Sequence, residues 1–234
     1  MLAAGLGTRL RPITDSVPKC LVPILGRPLL DYWLDLLLEG GIERVLVNSH
    51  YLADQVRTHV AGSPWSDRVD LAHEEVLLGT GGTVVYNADY VGQGSFLVAH
   101  ADNLTRFDVR RFVERHDSRA RRIAITMMTF ETDAPQTCGI VEEDADGIVH
   151  AFHEKVRRPP SSIANGAVYI FDHRVVQFMR GLGSSTIDLS TEVLPHFLGR
   201  IQTFHNDDYL RDIGSPSALK RAEQEYATLM HAAV

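Results

Sequence analysis

Lysine is the scarce residue of this 234-residue chain: Lys19, Lys155 and Lys220 are the only three, and arginine supplies the rest of its 23 basic side chains. Against 30 acids this leaves a formal net charge of -7, so the chain lacks the basic footprint of a general nucleic-acid binder. The one arginine-rich stretch, 106–122, interleaves seven arginines with three acids and reads as a solvated helix and strand entry. Cysteine is nearly absent: Cys20 and Cys138 make neither a metal-spacing pattern nor a disulfide framework, and read as ordinary thiols of a reducing compartment. No apolar run approaches the roughly 18 residues that signal a bilayer span. The opening MLAAG carries no basic n-region or cleavage motif. The expectation is a cytoplasmic protein without membrane insertion. Two common phosphate-binding signatures, GxxxxGK[ST] and GxGxxG, are missing as well. No repeat, low-complexity tract or flexible linker breaks the chain, and 44% hydrophobic content predicts a single domain over residues 1–234.

Strand-like and helix-like segments alternate. In 28–39, Leu30, Trp33, Leu34, Leu37 and Leu38 share one helical stripe, with Pro28 in the first turn and Gly40-Gly41 as the stop. Strands are expected at 44–48, 69–73, 95–101 and 122–130, and helices at 52–60, 82–88 and 108–118. This rhythm predicts an α/β, Rossmann-like, mostly parallel sheet with helices on both faces. After residue 135 the pattern changes. Residues 139–141 and 147–152 read as a hairpin, 163–171 as a strand, and 189–198 as a helix interrupted by Pro195. Short strands follow at 201–204 and 209–213, then a helix from Ser215 or Pro216 towards Leu229. This later part is expected to form a small β subregion that takes a sugar. The end of the final helix, AEQEYATLM, fits packing against a second copy in a homo-oligomer or over its own chain.

Four groups of residues carry chemistry. Gly5 and Gly7 allow a backbone to approach an anion, and Thr8, Arg9 and Lys19 lie close by in sequence. Leu78-Gly79-Thr80-Gly81-Gly82 precedes a helix, where glycines suit either a tight turn or a bound nucleoside; Glu75 just upstream suits a pocket or solvent. Asp102 follows an apolar strand, the usual position for ligand contacts in a parallel α/β sheet, with Asn103 beside it. Last come Glu154-Lys155, Asn165-Gly166 and Arg211-Asp212-Ile213-Gly214, which offer acceptors for sugar hydroxyls, a cation for a phosphate and a second carboxylate.

At these residues the sequence resembles the sugar-1-phosphate nucleotidyltransferase family over nearly the whole chain. The resemblance is carried by LAAGLGTRLRP, by Pro18-Lys19, by VPILGRPL at 22–29 and by YLRDIGSP at 209–216. It assigns Gly5, Gly7, Thr8 and Arg9 to the triphosphate loop, Lys19 to phosphate contact and Gly79, Thr80, Gly81 and Gly82 to the nucleoside. Asp102 and Asp212 match the two aspartates associated with magnesium. Glu154, Lys155 and Asn165 match the sugar-phosphate pocket, next to Gly166. Two departures stand out: His100-Ala101 replaces the Asn-Gly pair usual before Asp102, and the apolar lead-in to Leu2 is short.

Through FHEK, IANGAVYIF and STEVLP, compact bacterial guanylyltransferases for manno-heptose or mannose 1-phosphate look nearest. The implied reaction transfers a nucleoside monophosphate from a nucleoside triphosphate to a sugar 1-phosphate, with Mg2+, giving pyrophosphate and a nucleotide-sugar for cell-envelope polysaccharide synthesis. A uridylyl- or cytidylyltransferase acting on another sugar 1-phosphate and a noncatalytic nucleotide-sugar sensor are the alternatives.

Overall fold

A computed structural model describes residues 1–232. The chain divides into two compact units, one of Met1–Val76, His100–Val109 and Asp208 onward, the other of Leu77–Ala99 and Arg110–Asp207.

In the first unit the helix Leu29–Glu39 forms where the apolar stripe was expected, burying Leu30, Trp33, Leu34, Leu37 and Leu38. Pro28, expected in the first turn, is instead the N-cap, and the helix begins one residue later because the extended Pro28 backbone (ψ 138°) is not helical. Strands Val45–Ser49 and Val69–His73 pair in parallel around the helix Ala53–Ala61. Leu2 bridges in parallel to both Asn48 and His100, so the start of the chain lies between the strand Val45–Ser49 and His100. A second ladder is antiparallel: Asn103–Arg106 pairs with Tyr209–Asp212 in the register Asn103↔Asp212 to Arg106↔Tyr209. The final helix, Pro216–Ala232, follows.

The second unit is built on one long strand, Ile163–Phe171, that lies where the sequence placed it. It runs antiparallel to Ile125–Glu131 on one side; on the other its residues pair with Gly139–Glu143 and Phe96–Ala99, also antiparallel. Gly139–Glu143 and Val149–Glu154 form the expected hairpin. Ile201–His205 alone joins this sheet in parallel, against Ile125–Glu131. The sheets are therefore mixed, which corrects the mostly parallel expectation. The link 144–148 is too short for the crossover of about a dozen residues that a parallel neighbour requires, so Val149–Glu154 returns antiparallel beside Gly139–Glu143.

Smaller corrections concern where helices start and stop. The first glycine of LGTGG opens the helix Gly79–Tyr86, three residues before the expected start, and a separate short helix spans Ala88–Val91. The strand before Asp102 stops at Ala99. Around Pro195 the chain makes a π turn, Leu189–Val193, and then a 3-10 turn, Leu194–Phe197, since proline supplies no N–H to continue the ladder. The helix His173–Gly181 and the strand Asn103–Arg106 have no counterpart in the sequence reading.

Candidate nucleotidyl transfer site

In the first unit Gly5, Leu6, Thr8 and Arg9 are exposed, and the turn Thr8–Leu10 is anchored by the buried Leu10. Gly7 takes φ 63°, a conformation that L side chains disfavour, and an added Cβ would lie 2.9 Å from Thr14 Cγ2. The Thr14 hydroxyl donates to the Gly7 carbonyl at 2.8 Å, which fixes the turn. At Gly5 an added Cβ would meet nothing within 4 Å, so that backbone faces open space.

Beneath this loop four charges converge. Lys19 enters from a 3-10 turn after Pro18, and its side chain is only 9% exposed. Its ammonium donates to Asp102 Oδ2 at 3.0 Å and lies 3.7 Å from Asp212 Oδ1. Arg9 Nη1 lies 3.6 Å from Asp212 Oδ2. The carboxylates remain 45% and 56% exposed. Burial works against ionising Asp102, but the nearby charges of Lys19, His100 and Arg9 and the Lys19 hydrogen bond outweigh it and hold its carboxyl below the usual range.

The ladder Asn103–Arg106 with Tyr209–Asp212 brings the aspartates together, because it sets Asp212 opposite the neighbour of Asp102. Its register is tied to the final helix. Tyr209 OH donates to Glu225 Oε2 at 3.1 Å, and Arg211 Nε and Nη2 donate to the two Glu225 oxygens at 3.0 Å each. Gly214 keeps the corner narrow, since a Cβ there would fall 2.7 Å from Arg9 Nη2 and 2.8 Å from Asp212 Oδ2. Asn103 is buried, and its carbonyl accepts from Trp33 Nε1 at 2.9 Å. Cys20, next to Lys19, is a buried thiol that burial pushes up to about 12, far from a thiolate nucleophile at neutral pH.

One further group escaped the sequence reading. Glu75 is exposed, whereas its neighbour Glu74 is buried and accepts from Asn48 Nδ2 at 2.7 Å. Asn48 Oδ1 in turn accepts the Ala3 N–H at 2.6 Å, which anchors the chain just before Gly5. Asn48 lies near the carboxyl end of its parallel strand, the position that could have flagged it.

In the second unit, Gly79–Gly82 is packed tightly. The Gly81 and Gly82 N–H groups donate to the Ile187 carbonyl at 2.8 and 3.3 Å, and Thr80 Oγ1 accepts from Leu189 N at 2.8 Å. Two of the N–H groups that an anion at this helix start would use are thus engaged. Glu154 ends its strand opposite Gly139, and Lys155 follows with φ 50° and its ammonium 3.0 Å from Glu154 Oε1. Asn165 Nδ2 donates to Tyr169 OH at 2.7 Å, and Asn165 Oδ1 accepts from Ala167 N at 3.0 Å. Gly166 is buried beside Ala167, which has φ 55°. Two non-glycine residues in the left-handed region within these segments hold strain of about 1–3 kcal/mol each, the kind that collects at functional sites.

Among the described residues no group of three or more His, Cys, Asp or Glu side chains is placed to hold a metal ion. Nor, among those residues, is any helix long and apolar enough to cross a membrane.

The chain is similar to known proteins over most of its length. The chain is 29% identical over 230 residues to the mannose-1-phosphate guanylyltransferase of Mycobacterium tuberculosis, covering 96% of this chain but only 63% of that protein. It is 39% identical over 108 residues to the N-acetylmuramate alpha-1-phosphate uridylyltransferase of Caulobacter vibrioides, covering 44% of this chain and 45% of that protein. The crystal structure of HddC from Yersinia pseudotuberculosis complexed with GMP-PN superposes with a TM-score of 0.81 at 27% identity, covering 96% of this chain and 97% of that one. The nucleotidyl transferase family model matches residues 1–228, and the chain belongs to that family.

Proposed function

We propose that this protein transfers a nucleoside monophosphate from a nucleoside triphosphate to a sugar 1-phosphate and releases pyrophosphate. The observation that carries this reading is the convergence of Asp102, Asp212, Lys19 and Arg9 beside the open turn at Gly5. An oxygen of the sugar phosphate attacks the α-phosphorus in line, and the bond from that phosphorus to the bridging oxygen breaks, with the electron pair leaving on pyrophosphate. The attacking group is already an anion, so no protein nucleophile is needed. The protein must hold two anions together and offset the charge that spreads over attacking and leaving oxygens.

In this reading the loop N–H groups of Gly5, Gly7 and Thr8, with Arg9, hold the triphosphate, and Lys19 contacts the α-phosphate or the leaving pyrophosphate. Gly79, Thr80, Gly81 and Gly82 line the nucleoside, and Glu154, Lys155, Asn165 and Gly166 take the sugar phosphate. Asp102 and Asp212 would hold Mg2+. Both carboxylates reach one ammonium within 4 Å, so they converge, and hard oxygen donors in such a pair suit an ion that completes its shell with water and phosphate oxygens. When bound there, the ion supplies positive charge to the α-phosphate oxygens.

For substrates we favour GTP with D-glycero-D-manno-heptose 1-phosphate or mannose 1-phosphate. Two of the relatives support this choice through their names and bound ligand, a guanylyltransferase and a structure with GMP-PN; the Caulobacter vibrioides protein is a uridylyltransferase. The test crosses four nucleoside triphosphates with glucose, mannose, manno-heptose and N-acetylmuramate 1-phosphates, with and without Mg2+. Pyrophosphate release and product mass identify the base and the sugar. A UDP- or CDP-sugar product would replace the substrate choice, and folded protein that releases no pyrophosphate from any pair would refute the transferase reading.

A further inference from the structure

Lys19 is paired with the two carboxylates, Asp102 and Asp212, that would hold a divalent ion, and the consequence is a coupling between ion and triphosphate. We infer that Lys19 is an exchangeable internal counter-cation: it neutralises the carboxylate pair until a triphosphate draws its ammonium away, and only then is the pair negative enough to hold the divalent ion well. This inference rests on the proposed transferase reading and adds the order of events at its site.

Three observations carry it. The Lys19 side chain is 9% exposed, and a buried ammonium must be paired. Its partners are Asp102 at 3.0 Å and Asp212 at 3.7 Å, with Arg9 3.6 Å from Asp212. Two carboxylates thus face two cations, and the cluster has no net charge to attract a divalent ion. Both carboxylates nevertheless stay about half exposed, 45% and 56%, so an ion can reach them from solvent. Both cations flank the loop whose open backbone at Gly5 suits an anion.

A triphosphate there offers Lys19 and Arg9 alternative partners. Each contact it takes from an aspartate leaves negative charge behind for the ion. Because the coupling is between two binding equilibria, it is reciprocal: the ion must strengthen triphosphate binding by the same factor as the triphosphate strengthens ion binding. Lys19 is then a positioning and gating residue as well as a phosphate ligand.

The experiment measures Mn2+ binding by electron paramagnetic resonance on the full chain, with and without a non-hydrolysable triphosphate analogue. The proteins are wild type, Lys19→Met, Lys19→Gln and Lys19→Met/Asp102→Asn. Lys19→Met keeps the side-chain bulk and loses the charge; Lys19→Gln serves if the first does not fold. Without the analogue, the charge-free variant is expected to bind Mn2+ about tenfold or more tightly than wild type, the size of effect that one adjacent charge exerts. The added Asp102→Asn should abolish that gain, and the analogue should strengthen Mn2+ binding more in wild type than in the Lys19 variant. Unchanged or weaker Mn2+ binding by the charge-free variants, while wild type still binds Mn2+ with the analogue, would overturn the exchange and leave the transferase reading intact. Wild type that binds no Mn2+ under either condition and releases no pyrophosphate would remove both.

Discussion

At Gly5 an added Cβ would meet nothing within 4 Å, whereas at Gly82 it would lie 2.4 Å from the Ser185 carbonyl oxygen, at Gly79 2.6 Å from that of Ile187 and at Gly81 2.7 Å from Ile187 Cγ2. The two glycine-rich segments look alike in sequence, and both invite assignment to a nucleotide. Their surroundings separate them. The first leaves backbone facing open space beside a charge cluster whose two carboxylates are half-exposed. The second uses the missing side chains to let residues 185–189 close onto a helix start, and it spends N–H groups on that contact. Glycine therefore marks exposure in one case and close packing in the other, and only a packing test distinguishes them. A role for Gly79–Gly82 in holding a nucleoside rests on the side of the segment that this packing leaves uncovered.

Substitutions can break this contrast, beginning with the largest effect. Asp102→Asn should lower turnover about 100-fold or more, as the loss of a group that stabilises developing charge does, while the chain stays folded. A pyrophosphate assay at saturating Mg2+ measures the first and a melt the second. Near-wild-type turnover would remove Asp102 from the chemistry. Gly82→Ala should do the reverse, destabilising by about 1–3 kcal/mol through overpacking against Ser185. An unshifted urea midpoint would mean that residues 185–187 yield without strain.

The third effect depends on pH. His116 in the second unit is 1% exposed, with its ring nitrogens 2.8 Å from Thr126 Oγ1 and 2.9 Å from Ser95 Oγ. Burial, assisted by the nearby Arg119 charge, lowers its pKa from 6.5 to about 4. The folded protein therefore binds a proton less readily than the unfolded chain, so the contribution is fully present above about 6.5 and is lost as pH falls towards 4. Denaturation midpoints between pH 7 and 4 should fall more steeply in wild type than in His116→Gln; parallel curves would refute the assignment. The smallest effect is Gly5→Ala, expected to change stability by no more than about 0.5 kcal/mol while raising KM for the triphosphate. A loss of stability as large as that of Gly82→Ala would erase the contrast.

Much of the fold was legible where the pattern is local. The stripe in 29–39 has the helical period, and IANGAVYIF is an apolar run whose ends are marked by polar neighbours, so both could be placed from sequence. The helix His173–Gly181 was also readable in principle: Asp172 is an N-cap whose side chain accepts from Arg174 N, and Val175, Val176 and Met179 are spaced to form a buried face. The strand Asn103–Arg106 was not, because four residues acquire strand character only by pairing with Tyr209–Asp212 more than 100 positions away. The same distance hides the site. Lys19, Asp102 and Asp212 were singled out by their local motifs and by resemblance, but nothing in their spacing gives the contacts of Lys19 with both aspartates. Glu74 went unread beside Glu75, since two adjacent glutamates differ only in which one the turn buries.

The clasp of Glu225 on Tyr209 and Arg211 has a further consequence. Side chains alternate along a strand, so a slip of one residue in the ladder would swing Asp212 to the opposite face and separate it from Asp102. Tyr209 and Arg211 share the other parity, and by gripping both, the final helix acts as a vernier that reads the strand's offset from the face opposite Asp212. The alignment of the carboxylates is in this sense set from behind, by a side chain bonded to Tyr209 and Arg211 and not to either aspartate.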